Sequence, residues 1–291
     1  MLELKHIATR AGRLSSFLRE EMKMSAGLMN RLKWQQLLFV NGQAVHTDYP
    51  CAPGDVITVP LDEPAPEYPA QDGPLTVLYE DAHLLAVDKP AGMLIHPSRS
   101  RLTDTLANYV LGYYEKTHQK SAFHPLTRLD RDTFGVVLLA KNAHIHSLLN
   151  DLHLQGGFEK VYHALTLGGP AADEGIIDAP IARLPLPSLL RQVHPEGKPS
   201  VTEYRVLERR AEVTKLALRP ITGRTHQLRV HCAYKGFSIL GDPQYGSEAA
   251  KEVSRRLGLH SQMLCARRIT FIHPITEEKI TITSTMDAEI T

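Results

Sequence analysis

Between His124 and Val136 one carboxylate, Asp130, stands between two guanidinium groups, Arg128 and Arg131. It lies just before a turn containing Gly135 and the apolar run Val136–Ala140, which reads as a buried strand. Opposite charge on both sides favours the ionised form of a carboxylate. An ionised carboxylate at a turn beside a strand end can attack or stabilise an electrophilic carbon. The same residues would equally serve a surface ion network, so the chemistry has to be sought in what accompanies them.

Two further side chains qualify. Tyr162 sits in Phe158-Glu-Lys-Val-Tyr-His-Ala-Leu165. A strand tyrosine is ordinarily core, yet it can also stack on a base and keep its hydroxyl for proton transfer. From Val213 to Gly241 there is no acidic residue, while Lys215, Arg219, Arg224, His226, Arg229, His231 and Lys235 all occur there. Thr222-Gly223-Arg224 reads as a turn, Thr225 as the N-cap of a helix, and Gly236 as the residue that ends it. On that helix His226 and Arg229 share a face by i,i+3 spacing, and a fixed arginine is a good partner for a catalytic carboxylate.

Other chemistries find no support. No GxGxxG follows a strand and no GxxxxGK[ST] occurs, so no nucleotide cofactor is expected. The fifteen histidines show no metal-ligand spacing; His144 and His146 are expected to face solvent on a helix. Ser98 lacks a GxSxG context. Neither cofactor nor metal is expected.

The elements that must hold these residues are mostly strands. Apolar runs at 75–79, 84–87, 161–167, 201–207, 213–218 and 279–284 alternate irregularly with helical candidates at 102–117, 143–155, 225–235 and 248–257. The expectation is an α+β catalytic domain with a mixed, largely antiparallel sheet, covering 75–291. Hydrophobic residues make up 43% of the 291 residues, enough for a sizeable core. The net charge is +1, so any polyanion site must come from local clustering. Cys51, Cys232 and Cys265 are few and far apart, which points to a reducing, cytoplasmic compartment. No apolar run approaches a membrane span and no secretory h-region is visible.

Residues 1–60 read as a separate small α/β module. Leu14, Phe17, Leu18 and Met22 follow helical spacing, and Ser25 caps a second helix with Leu28 and Leu32. Asn41-Gly42 between apolar stretches is a hairpin signal, and Pro53-Gly54-Asp55 makes another turn. Residues 1–33 carry seven basic and three acidic side chains, with Trp34 next in line, a composition suited to a phosphate backbone. The order Gly12-Arg13-Leu14, Phe17-Leu18, Ser25, Arg31-Leu32, Val40-Asn41-Gly42 and Pro53-Gly54-Asp55 resembles the small RNA-binding module named after a ribosomal small-subunit protein, the S-four module. That resemblance implies RNA contacts from Arg13, Arg31 and Lys33. Residues 61–74, with prolines at 64, 66, 69 and 74, read as a stiffened linker.

The larger part resembles the RluA-type pseudouridine synthases over about residues 75–284. Asp88-Lys-Pro-Ala-Gly92 with His96-Pro97, Arg128-Leu-Asp-Arg-Asp-Thr-Phe-Gly135, Lys160-Val-Tyr-His-Ala-Leu165, Gly197-Lys198, Thr202-Glu-Tyr-Arg-Val-Leu207, Pro220-Ile-Thr-Gly-Arg-Thr-His-Gln-Leu-Arg-Val-His231, Gly241-Asp242-Pro243 and Tyr245-Gly246, and His273-Pro274 follow in the family's order. Thr127 and Phe134 depart from it, at places often held by His and by Ser or Thr.

The resemblance implies isomerisation of uridine to pseudouridine in RNA, without a cofactor. Asp130 would act as a nucleophile on ribose or as the base that opens a glycal route; the sequence leaves both open. Arg229 would orient Asp130. Tyr162 would stack on uracil and help remove the proton at the new bond. Arg128 would fill the space left by a flipped uridine, with Arg224 and His226 as further RNA contacts. Ribosomal RNA, specifically the large subunit, is the expected partner of a monomeric enzyme. A transfer-RNA synthase and an inactive RNA-binding assembly factor are the alternatives. Hydrolysis of the glycosidic bond generally needs two carboxylates flanking it, and Asp132 is expected to point away from Asp130.

Overall fold

The computed structural model describes residues 3–63, 68–98 and 101–289. Pro64 and Pro66 of the expected linker lie outside them. A ten-stranded sheet organises the larger part. Its main path runs Glu174–Asp178, Val201–Arg210, Val213–Pro220, Phe158–Leu167, Leu264–Ile272, Phe134–Ala140, Leu84–Lys89 and Thr76–Glu80. Lys279–Thr283 pairs with Leu264–Ile272, and His124–Pro125 with Phe134–Ala140. Pairing is antiparallel except at one seam, where Phe134 meets Cys265 and Gly135 meets Ala266 in parallel. The fold is thus mixed α/β with a largely antiparallel sheet, as the strand-rich sequence predicts.

That seam explains Gly135. Its φ is +109°, and a Cβ there would lie 2.4 Å from the Ala266 carbonyl oxygen. Any side chain would both strain the backbone and push the two halves of the sheet apart. Beyond it every residue of Phe134–Ala140 is buried, so the run reads as continuously apolar rather than alternating. A second tie closes the sheet from far along the chain. Asp88, buried, accepts from the Ser284 hydroxyl at 2.7 Å, the Thr285 amide at 2.7 Å and the Thr285 hydroxyl at 2.8 Å. Asp287 binds His163 and Lys215 at 2.7 and 2.9 Å.

The helices begin where local chemistry caps them. Asn142 accepts from the Ile145 amide ahead of Ala143–Leu154, and Ser247 from the Ala250 amide ahead of Glu248–Arg256. The helix expected over 102–117 begins only at Leu106, where Asn108 Oδ1 accepts from the Thr105 amide at 3.1 Å. The helix expected from Thr225 begins at Gln227 instead, with left-handed His226 (φ +59°) as its cap residue and no side-chain cap bond. Buried Gln227 replaces that cap. Its Oε1 accepts from Thr222 Oγ1 and the Arg224 amide, and its Nε2 donates to Val201 O and Thr202 Oγ1.

Residues 3–63 form a four-stranded antiparallel sheet, Glu3–Ile7, Val56–Pro60, Phe39–Val40 and Gln43–Ala44. It packs against a short helix Leu14–Ser16 that runs into π-helical Phe17–Glu21, and against the helix Ala26–Trp34. Ser25 Oγ accepts from the Leu28 amide, and Asn41-Gly42 turns with both residues at positive φ. This unit touches the larger one. Glu63 Oε1 accepts from the Ala143 amide at 2.6 Å, and Ile275 packs on the cores of both; His144, at the start of the helix so capped, is 6% exposed. His144 is therefore buried rather than solvent-facing, and half-buried His146 stacks on His124. Residues 69–72 are fastened to the helix Leu106–Lys116: Asn108 donates to Pro69 O, and the Gln71 amide to Asn108 O. Among the described residues no helix is long and apolar enough to cross a membrane.

Candidate active site

A cavity of about 340 Å³ opens beside the seam, within the range of small-molecule sites. Asp130, Arg128, Tyr162, Arg224, His226 and Arg229 line it. Six residues taken from three distant stretches of sequence thus share one hollow.

Asp130 reaches the cavity from the turn before Phe134–Ala140. The expected clamp by its sequence neighbours does not form. Arg131 turns outward and binds Asp132 instead, Nε to Oδ1 and Nη2 to Oδ2 both at 3.0 Å. Arg128 is exposed at the cavity wall and forms no ion pair among the described residues. Asp130 is held from far away: Arg229 Nη1 donates to its Oδ2 at 2.9 Å. The turn itself is anchored underneath by fully buried Lys89, whose Nζ donates to Pro90 O, Met93 O and Arg131 O. Burial pushes the Lys89 ammonium down to about 8, against the pull of Asp132 and Asp130.

Arg229 is shared. Besides Asp130 it donates from Nε and Nη2 to Asp242 at 2.7 and 2.9 Å, and from Nη2 to Gln244 Oε1 at 2.8 Å. Its guanidinium also lies 4.8 Å from the centre of the Tyr245 ring. Burial alone would raise Asp242. The bonds and charge of Arg229, with the amides of Tyr245 and Gln244, outweigh it and hold Asp242 below the usual carboxylate range. The sequence reading passed over Asp242 as a binding partner. Its only signal was Gly241-Asp242-Pro243, which says nothing about what lies opposite.

Tyr162 sits half-buried on Phe158–Leu167 beside an irregularity between Val161 and Tyr162, paired to Leu218 on one side and Ala266 on the other. Burial, then the charge of Asp130, pushes its phenol above the ordinary value. His226 accepts or donates at Nδ1 with the Tyr245 hydroxyl at 2.8 Å, and its Nε2 lies 3.9 Å from Asp130 Oδ1. Burial lowers its pKa, opposed by Asp130 and reinforced by Arg229 and Arg191. It precedes the helix that carries Arg229 rather than sharing its face, and lies across from Asp130 Oδ1 while Arg229 binds Oδ2.

The acid-free stretch 213–241 is less basic at its surface than its composition implies. Lys215 pairs with Asp287, Arg219 with Glu203 at 2.9 Å, and His231 is buried between Thr202 and Ala179 O. Arg224 stays exposed at the cavity mouth, its Nε donating to Pro199 O at 3.2 Å. Arg13, Arg31 and Lys33 are exposed on the smaller unit, the last two on the helix that ends at 83% exposed Trp34. Among the described residues no three His, Cys, Asp or Glu are arranged to hold a metal ion.

A family model for RNA pseudouridylate synthase matches residues 83–234. The chain is 37% identical over 245 residues to the uncharacterized RNA pseudouridine synthase YjbO of Bacillus subtilis, covering 84% of each protein. It is 33% identical to ribosomal large subunit pseudouridine synthase C of Vibrio cholerae, covering 96% of this chain and 90% of that one. Among solved structures, human RNA pseudouridylate synthase domain containing 1 matches with a TM-score of 0.62 at 25% identity, over 75% of this chain and 86% of that one.

Proposed function

The chain belongs to the RNA pseudouridylate synthase family, and on that premise we propose that it isomerises uridines of large-subunit ribosomal RNA, with Asp130, Tyr162 and Arg229 as its catalytic residues. The observation that best supports the assignment is the 2.9 Å contact from Arg229 to Asp130 in a cavity that Tyr162 also lines. The reaction breaks the bond between ribose C1′ and uracil N1, rotates the base and rejoins it through C5. Asp130 either attacks C1′ or removes the proton that starts a glycal route, while Arg229 keeps one carboxylate oxygen turned inward. Tyr162 stacks on the uracil and gives its phenolic proton to N1, and the resulting phenolate takes the proton from C5, which restores the hydroxyl. The phenol is held protonated partly by the charge of Asp130. In the nucleophilic route C5 displaces the Asp130 carboxylate from C1′ as the new bond forms, so that charge is back in the site before the C5 proton leaves.

Recognition divides between the two units. Arg128 fills the gap left by the flipped uridine, and Arg224 and His226 contact the RNA at the cavity mouth. Residues 1–60 act as an S-four-like module in which Arg13, Arg31 and Lys33 neutralise phosphates. Residues 61–74 connect it to the catalytic domain, 75–291. The enzyme works in the cytoplasm as a monomer. The ribosomal target rests on relatives such as the Vibrio cholerae synthase named for the ribosomal large subunit. Mapping pseudouridines in ribosomal and transfer RNA from a strain lacking the gene tests it. Loss of a site in large-subunit RNA is expected; loss confined to transfer RNA, or no loss at all, refutes it.

A further inference from the structure

Among the described residues His226 is the ionisable group that faces the second oxygen of Asp130. Arg229 takes Oδ2, whereas Oδ1 lies 3.9 Å from His226 Nε2, too far for a direct hydrogen bond. The tautomer of His226 follows from its other side. The Tyr245 hydroxyl accepts from the Arg191 amide at 2.9 Å, so its own proton is free to go to His226 Nδ1 at 2.8 Å. A neutral imidazole accepting at Nδ1 carries its hydrogen on Nε2. That N–H is carried by the nitrogen 3.9 Å from Asp130 Oδ1.

Both residues line the cavity, and across a separation of 3.9 Å one oxygen can sit within about 2.8 Å of each only about 2 Å to the side of the line joining them. A hydroxyl fits both at once, accepting from Nε2–H and donating to Oδ1. His226 is held left-handed at φ +59°, a conformation that histidine, like asparagine and aspartate, adopts more readily than most residues. Resting on the reading that Asp130 works at the ribose of a flipped uridine, we propose that His226 and Asp130 Oδ1 seat its 2′-hydroxyl, and that His226 is the residue by which the site selects ribose over deoxyribose. The 2′-hydroxyl is the group that distinguishes RNA from DNA, and it is both donor and acceptor.

The test compares two forms of one hairpin RNA drawn from a large-subunit ribosomal segment that the full chain binds. One carries ribose at a single loop uridine and the other 2′-deoxyribose there. Wild type is expected to bind the ribose form about tenfold tighter. His226→Ala should shrink that ratio to within about twofold. His226→Asn, which tolerates a left-handed backbone but is too short to span the gap, should do the same with the fold intact. Tyr245→Phe leaves the imidazole in place with its tautomer free, and should give an intermediate ratio. A ratio near one in wild type, or an unchanged ratio in both His226 variants, overturns the proposal. Binding is read without turnover, so an RNA bound with ribose preference yet never isomerised would refute the functional reading alone.

Discussion

Replacing Arg229 with alanine removes the one cation between two carboxylates. Arg229 is 5% exposed and the Asp242 side chain is fully buried. The substitution cancels the three donors that Asp242 and Asp130 receive from it, and leaves Asp242 with the amides of Gln244 and Tyr245. Breaking a buried pair by deleting one partner costs about 3–5 kcal/mol. The control is Arg219→Ala, which breaks a half-exposed pair with Glu203 and should cost about 0.2–1 kcal/mol. The difference should depend on pH. In wild type the folded-state pKa of Asp242 is lowered. Its contribution is therefore complete above about 3.9, the unfolded value, and fades as pH falls through the folded value. Without Arg229, burial raises the folded value instead. The buried charge then destabilises at neutral pH and is relieved as acid protonates it. The stability gap between wild type and Arg229→Ala should be widest at pH 7 and narrow toward pH 4–5. Urea unfolding followed by circular dichroism at both pH values measures it. Two arginine variants of equal stability, or a gap that does not change with pH, would refute the shared-arginine account.

Asp130→Asn should abolish tritium release from RNA labelled at uridine C5 while RNA binding stays within about threefold of wild type; activity near wild type removes Asp130 from the chemistry. Starting the chain at Tyr68, which retains the ties from residues 69–72, should preserve the catalytic unit but weaken RNA binding and flatten its dependence on salt. Arg13, Arg31 and Lys33 replaced together by alanine should lower the slope of log K against log salt by about two to three, and an unchanged slope would mean that they contact no phosphates. Gly135→Ala should destabilise by at least about 2–3 kcal/mol, since its Cβ meets the Ala266 carbonyl at 2.4 Å; a thermal midpoint equal to wild type would mean the seam yields more easily than its geometry indicates.

What could be read from the sequence was decided by contacts close along the chain. Asn41-Gly42 makes its hairpin, Ser25 caps its helix and Gly236 ends another because each depends on a few neighbouring residues. Asp130, Tyr162 and Arg229 were found through motif order, which stands in for contacts no local rule reveals. The errors share one origin. Arg128 and Arg131 flank Asp130 in sequence, but a turn sends neighbouring side chains apart, so the cation that binds it comes from Arg229, 99 residues away. Thr225 has the chemistry of an N-cap, yet Gln227 braces that turn with bonds to Val201 and Thr202. His144 lies on a helix whose first amide is bonded by Glu63 of the other unit, a contact its own neighbours do not announce. Asp242 was invisible as a clamp because its importance lies wholly in what faces it.

The tie between Asp88 and Ser284 spans 196 residues. At ribosomal speeds of about 5–20 residues per second, Asp88 leaves the ribosome roughly 10–40 s before its partner has been made. Throughout that interval the strand Leu84–Lys89, buried at every position in the finished fold, lacks the segment that satisfies its carboxylate. The smaller unit, complete by residue 63, can fold as it emerges, whereas the catalytic sheet must wait in a partly open state with apolar edges exposed. This corner of the sheet therefore cannot close until residue 284 has been made.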